Sequence, residues 1–285
     1  MPVLRNLQGF VRELLSNKMA VLGLALILPF IVMAVFSPLL AASDPMKMGK
    51  PEEILLPPSR GHILGTDDLG RDIWSQLVYG ARISLVVGLL ATVMGVGVGT
   101  LVGLFSGYYG GVVGEVLMRA TDIVMVIPIL PLMMVLAALL KPSIWNIIIV
   151  IAATGWPYCA RVVRSQVLSV KERPFVEAAR CVGAGDFSII FKEIFPSVLP
   201  IAFAEAVLWI ASAIYAEAVL SFLGLGDPMH VSWGMMLRAA FTSGAMAWAW
   251  WWILPPGMSI ALLVLGFTFL GNAVQEITNP KLRHM

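Results

Sequence analysis

Glu205 and Glu217 are the only charges in residues 194–226, an otherwise apolar run. Carboxylates in such a run suit a proton or ion path. They equally suit a structural role near the ends of a helix, where a carboxylate can reach the interface, and the structural role is the reading preferred. His62, His230 and His284 are too scattered in sequence to suggest a metal site, although a fold can bring distant residues together. Gly95, Gly97, Gly99, Gly103 and Gly107 look superficially like a nucleotide loop. They sit inside an apolar run, however, and Gly99-xxx-Gly103-xxx-Gly107 reads better as a close-packing helix face. Gly49-Lys50 is followed by Pro51, and residues 51–140 contain no lysine, so the phosphate-cradling Walker A pattern is absent. HExxH and GxSxG are absent too. Nothing in this sequence performs covalent chemistry. Arg119 and Asp122, three apart on a helix face, are expected to pair with each other. Cys159 and Cys181 are expected to be small, reduced packing residues.

The elements that carry these residues follow from composition. Of 285 residues, 59% are hydrophobic and only 13% charged, and the mean hydropathy is +0.89. A water-soluble domain would carry about 25% charged residues. The deficit points to a polytopic membrane protein. A crossing helix needs about 20 mostly apolar residues, and the gaps between charges supply six. The first is 19–43; the second lies between Arg82 and Glu115, the third between Asp122 and Lys141, and the fourth between Lys141 and Arg161. The fifth lies in 194–226 and the sixth in 239–275, starting near Trp252 because Pro255 and Pro256 suit a helix start. Arg5, Arg12 and Lys18 precede the first span as they would a secretory signal. Its uncharged run of 25 residues is too long for a signal core, and Leu40-Ala41-Ala42 is a poor cleavage site, so a retained helix is expected.

Basic residues orient the spans. The N-tail, the 2–3 and 4–5 loops and the C-tail hold twelve Lys and Arg, against seven on the other side. Both termini are therefore expected to be cytoplasmic. The layout is a cytoplasmic tail over 1–18, a first span over 19–43, an extracellular loop over 44–81 and a core domain over 82–285, with a cytoplasmic loop at 161–199. The formal net charge of +2 adds little: the basic residues orient the chain and form no nucleic-acid surface.

That cytoplasmic loop holds EAARCVGAGDFSIIFKEIFPSVLP, a charged, glycine-broken stretch over 177–200. Pro174 suits a first helical turn, with Phe175, Ala179 and Val182 on one face. Gly183-Ala184-Gly185 stops that helix, and Asp186 can cap a second one. Phe187, Ile190, Phe191, Ile194 and Phe195 then recur at helical spacing. Two short amphipathic helices joined by a glycine turn could lie on the bilayer. They could also dock a partner, since Ala178 and Ala179 permit close approach and Glu177 and Arg173 can pair with opposite charges.

Glu177-Ala178-Ala179 followed by Gly183 is similar to the EAA---G loop of ABC importer permeases. GTDDLGRDIWSQLVYGARISLVVG (65–88), YYGGVVGEVLMRATDI (108–123) and EAVLSFLGLGDPMHVSWGMML (217–237) extend the likeness over nearly the whole chain. Together they resemble the second permease subunit of the dipeptide/oligopeptide/nickel type. Asn272 and Asn279 depart from it, standing where relatives usually carry aspartate. The resemblance implies an all-α membrane protein of six transmembrane helices, with a cytoplasmic coupling-helix loop between spans four and five. It implies a plasma (inner) membrane complex with a homologous permease subunit, two ATPase subunits that hold the ATP and Mg, and an extracellular solute-binding protein. Membrane lipid surrounds it, and this chain is expected to bind no cofactor or metal, to contact no nucleic acid and to be no enzyme. Coupling to the ATPase is expected of Arg173, Glu177, Ala178, Ala179 and Gly183.

For Asp67, Arg71 and Asp72 in the extracellular loop two readings stand side by side. They contact the binding protein or partner permease, or they form a capped, internally bonded lead-in to span two. Trp233, Trp248, Trp250 and Trp251 make the outer segment 227–251 apolar enough to lie at the interface, and facing the docked binding protein is the alternative. The substrate is expected to be a peptide or similar small solute, with oligosaccharides or nickel chelates as alternatives. An ion-coupled secondary transporter working through Glu205 and Glu217 is the rival class, but no inverted repeat supports it. A non-transporting scaffold is a third.

Overall fold

The computed structural model describes residues 2–278, with side chains from residue 9 onward. Asn279, Lys281, Arg283 and His284 lie outside the described residues. In chain order the α-helices are α1 (Pro2–Ser16), α2 (Lys18–Val35), α3 (Ser37–Leu40), α4 (Ile73–Tyr109), α5 (Gly111–Val126) and α6 (Ile129–Leu139). They continue with α7 (Ile144–Val170), α8 (Pro174–Cys181), α9 (Asp186–Ser188), α10 (Phe195–Phe222), α11 (Trp233–Thr242) and α12 (Trp250–Thr278). A π-helical segment, Ile189–Ile194, joins α9 to α10. Among the described residues there is no strand, only an isolated bridge between Thr66 and Asp72.

Five helices are long and apolar enough to cross a membrane: α2, α4, α7, the run Asp186–Phe222 and α12. The third span differs from expectation. It is a broken pair, α5 and α6, bent by 90° at Ile127-Pro128, so that six spans result only when the pair counts as one. Pro128 disfavours helical geometry at Ile127 (ψ 129°), and α5 ends there. The second span also starts earlier than its charge gap suggests: Arg82 lies more than two turns inside α4, whose cap is Asp72. Pro255 and Pro256 sit beyond the first turn of α12, which begins at Trp250.

The bundle is held by close backbone approaches. A methyl group at Gly99 would meet the Trp156 carbonyl oxygen at 2.6 Å and Cys159 Cβ at 2.8 Å; at Gly103 and Gly107 it would meet Val163 Cβ at 2.6 Å and Val167 Cβ at 2.7 Å. The glycine stripe of α4 is therefore the packing face for α7, as its spacing suggested, because only a bare Cα lets the backbones come this near. Near the ends of the chain, Asn17 caps α2 through its Oδ1 and donates its Nδ2–H to Glu276 Oε2 on α12 at 3.0 Å.

Of the two intramembrane carboxylates, Glu217 lies near the C-terminal end of α10 as expected, but turned inward, and Glu205 does not lie near an end. Glu217 is fully buried, accepting from Ser84 Oγ at 3.2 Å and Ser221 Oγ at 2.7 Å, so its charge cannot reach the interface. Glu205 lies well inside α10, is buried, and among the described residues accepts no hydrogen bond. Arg119 and Asp122 do not pair either. Arg119 reaches Glu115 at 3.5 Å, one turn back, while Asp122 faces α7 and accepts from Arg161 at 2.5 Å. Cys159 is buried, whereas Cys181 is exposed.

Candidate docking interface

Residues 171–194 connect α7 to α10 through α8, α9 and the π-helical segment. α8 opens at Pro174, with Arg173 in the extended backbone position before it; the Arg173 carbonyl accepts from Val176 N at 2.9 Å and Glu177 N at 3.3 Å. Glu177 lies in the first turn, where the positive end of the helix dipole favours a carboxylate, and Arg180 in the last turn, where a cation is favoured. The helix ends in a tight turn: Gly183 N donates to Arg180 O at 3.0 Å and Ala184 N to Ala179 O at 3.0 Å. Gly183 has φ +83°, and a side chain there would touch nothing within 4 Å, so glycine is required by backbone geometry and not by space.

The faces differ in part from the spacing-based expectation. In α8 the buried residue is Val176, with Ala179 half-buried, while Val182 is 84% exposed. After the turn, Ile189, Ile190 and Ile194 are buried and Phe187 is 70% exposed. Ile190, Phe191, Ile194 and Phe195 keep to the buried side as their spacing suggests, and Ile189 joins them within a π-helical segment, in which Phe195 N bonds back to Ile190 O. The wider turn departs from a 3.6-residue period. Asp186 does not cap either. Gly185 holds the cap position, and the Asp186 carboxylate instead accepts from the Tyr108 hydroxyl at 2.6 Å.

Arg173, Glu177, Ala178, Ala179 and Gly183 thus fall together on one short segment. Arg173, Glu177 and Ala178 are exposed, and neither Arg173 nor Glu177 forms an ion pair among the described residues. The under-face locks onto the bundle through an apolar cluster of Val163, Val167 and Val170 of α7, Val176, Ile190 and Ile194. Charged groups point out and branched apolar groups point in, as an adhesive surface on a rigid base requires.

Asp67, Arg71 and Asp72 lie at the opposite end of α4. Asp67 is fully buried and accepts from Leu69 N at 2.9 Å, Arg71 N at 2.8 Å, Arg71 Nε at 2.7 Å and Gln76 Nε2 at 2.7 Å. Asp72 accepts from Ser75 N at 2.8 Å and Ser75 Oγ at 2.7 Å, and His62 Nδ1 lies 3.1 Å away. These polar atoms are spent inside the loop, which is the capped, internally bonded arrangement. Burial, then the neighbouring Asp67, pushes the Asp68 carboxyl above its ordinary value. Burial also works against the charge of Asp227, between α10 and α11. Donors from Met229 N, His230 and Ile144 N outweigh it and hold that carboxyl below its ordinary value.

Several residues in these contacts carried no advance signal. Tyr108 and Gln76 were visible only as members of longer motifs. Trp209, which lies across Gly155 where any side chain would collide with it, looked like one more apolar residue. Together with Ile127, Pro128, Thr154 and Tyr158 they line a cavity of about 320 Å³ beside the bend of the third span.

Comparison with known proteins places this geometry in context. A family profile described as binding-protein-dependent transport system inner membrane component matches residues 99–284. A second, described as the N-terminal TM domain of oligopeptide transport permease C, matches residues 6–58. The dipeptide transport system permease protein DppC of Bacillus subtilis (strain 168) is 37% identical over 99% of this chain and 88% of its own length. The protein of the same name from Alkalihalophilus pseudofirmus is 40% identical over 95% and 89%. The oligopeptide transport system permease protein OppC of Bacillus subtilis is 37% identical over 94% and 87%. Among solved structures, a chain of the MetNI methionine ABC transporter in inward-facing conformations superposes with a TM-score of 0.57. It covers 72% of this chain and 96% of its own, at 19% identity, and so shares the fold.

Proposed function

The chain belongs to the binding-protein-dependent transport system inner membrane components, the permease subunits of ABC importers, and from that premise we propose that it carries dipeptides or oligopeptides inward with a homologous permease subunit. Two ATPase subunits supply the force by hydrolysing ATP with Mg, and an extracellular solute-binding protein delivers the cargo. Both termini and the segment 171–194 face the cytoplasm, in keeping with the twelve-to-seven split of basic residues. The ATPase subunit meets α8. The observation that carries this reading is the segment's two-sidedness: Arg173 and Glu177, at the start of α8, are exposed and among the described residues form no ion pair, while the helix's other face is buried against α7. The loop around Asp67, Arg71 and Asp72 shapes the outer surface offered to the binding protein; those three side chains hold the loop and do not form its contact face.

The test is uptake by the reconstituted four-subunit complex with loaded binding protein. Labelled dipeptide accumulation that requires ATP and survives collapse of ion gradients supports the proposal. Uptake without ATP that collapses with the gradient refutes it. A cysteine placed at Ser169 tests orientation: an impermeant thiol reagent is expected to leave it unlabelled in intact cells.

A further inference from the structure

Tyr108 is the last residue but one of α4 and is buried at its ring. Two charged groups from either side of the Gly183 turn close on it. From α9, the Asp186 carboxylate accepts its hydroxyl proton at 2.6 Å. From the last turn of α8, the Arg180 guanidinium lies over its ring, 5.6 Å from the centroid. Asp186 and Arg180 are both exposed and would be well hydrated alone, so their convergence on one phenol is a specific arrangement and not a refuge from burial. One turn back on α4, Phe105 packs edge-on against Phe191 at 6.3 Å, which fixes the same joint from the other side.

We propose that Tyr108 is a positioning residue for transport, a latch that fixes the docking segment to α4 and so makes any displacement of α8 a displacement of α4. The inference rests on the reading of α8 as the surface that meets the ATPase subunit. Its mechanical content comes from α4 itself. This helix is 37 residues long, about 55 Å at the usual rise. It is seamed to α7 through its glycine stripe, and it ends at the opposite side in the Asp67–Gln76 and Asp72–Ser75 bonds. A rod gripped at both ends carries a push from one face of the membrane to the other. The Val163–Ile190 cluster holds the segment to the bundle by apolar contact, and the phenol bond and the guanidinium contact add the directional contacts that set its angle.

The experiment uses the complete complex in proteoliposomes, comparing Tyr108→Phe, Asp186→Ala and Asp186→Asn for co-purification of the ATPase subunits and for dipeptide taken up per ATP hydrolysed. Tyr108→Phe keeps the ring and loses only the hydroxyl. It is expected to co-purify the ATPase subunits at the wild-type ratio while uptake per ATP falls about tenfold, the factor one charge-assisted hydrogen bond sets. Asp186→Ala is expected to match it. Asp186→Asn, whose amide oxygen still accepts, is expected to lie between, and the Tyr108→Phe/Asp186→Ala double variant is expected to fall no further. An unchanged ratio of uptake to hydrolysis in Tyr108→Phe and Asp186→Ala overturns the latch. Should Tyr108→Phe fail to assemble, Asp186→Ala, altered at an exposed side chain, decides alone. Glu177→Lys separates the two readings. If it loses the ATPase subunits while Tyr108→Phe stays fully coupled, docking stands and the latch falls; if Glu177→Lys assembles and transports normally, docking falls and takes the latch with it.

Discussion

The indole N–H of Trp233 donates to the backbone carbonyl of Leu77 at 2.9 Å, joining residues 156 apart in the chain. The ring is fully buried, packs edge-on against Phe30 of α2 at 5.4 Å, and fills the space left by Gly80, where a methyl group would meet Trp233 Cδ1 at 2.6 Å. One side chain thus gathers α2, α4 and α11. Trp233→Phe keeps the aromatic packing and loses the bond, and is expected to cost about 1 kcal/mol. Trp233→Ala is expected to cost roughly 3–5 kcal/mol. Thermal unfolding of the purified subunit in detergent orders the two, and equal midpoints would refute the account.

The glycine stripe of α4 makes a position-specific claim. Gly103→Leu is expected to destroy the α4–α7 seam and leave aggregated protein, whereas Gly97→Ala, with nothing within 4 Å of the added methyl, is expected to be tolerated. Size-exclusion profiles of the two variants check this. A monodisperse Gly103→Leu protein would remove the seam from the account.

Docking makes its own demand. Gly183→Val forces a branched side chain into φ +83°, and on the proposed docking Glu177→Lys would turn an attractive contact with the ATPase subunit into a repulsive one. A lost charge-assisted contact is worth roughly 1.5–3 kcal/mol. Both variants are expected to insert normally and to abolish uptake, and the measurement is ATPase activity stimulated by loaded binding protein, read beside co-purification of the ATPase subunits.

Glu205 accepts no hydrogen bond among the described residues, so a neutral isostere removes no contact. Glu205→Gln is expected to retain at least half of ATP-driven uptake. A Glu205→Gln complex that hydrolyses ATP but moves no substrate would show that the carboxylate acts in transport.

Asp227 links pH to stability. Its carboxylate accepts from Ile144 N at 3.2 Å at the start of α7, from Met229 N at 2.9 Å and from His230 at 3.0 Å. Although burial opposes the charge, these donors hold its folded pKa below the ordinary carboxylate value, about 3.9. A depressed pKa contributes stability that is present above the unfolded value and is lost as pH falls through the folded one. The gap between wild-type and Asp227→Asn melting midpoints is therefore expected to be constant near neutrality and to close below about pH 4. A gap independent of pH down to 3 would refute the assignment.

How far the sequence foretold this molecule depends on what each inference used. Span number and helical class were legible because Lys18, Asp122, Lys141 and Arg161 punctuate apolar runs of crossing length. The Gly99–Gly107 seam was legible because a four-residue period has one physical use inside an apolar helix. Faces in the segment 171–194 were legible only in part: Ile190, Phe191, Ile194 and Phe195 keep the expected side, while Val182 and Phe187 are exposed and the π turn brings Ile189 inward. Partners across the fold were not legible either. That Asp122 meets Arg161 and not Arg119, or that Asp186 takes the proton of Tyr108, is decided by helix orientation. The charge at Arg82 hid the true start of α4, since a long basic side chain at a membrane surface does not end a helix.

The broken third span has an implication for solvent. Between α5 and α6 the backbone turns by 90° at Ile127-Pro128, and the first amide to re-enter helical bonding is that of Leu132, to Pro128 O at 3.1 Å. The last carbonyls of α5 and the first amides of α6 are left without intrahelical partners, and such groups cannot face hydrocarbon. They border the cavity that also holds the hydroxyls of Thr154 and Tyr158. That wall of the bundle is therefore closed to lipid: at the bend the bare peptide must be met by protein or by water.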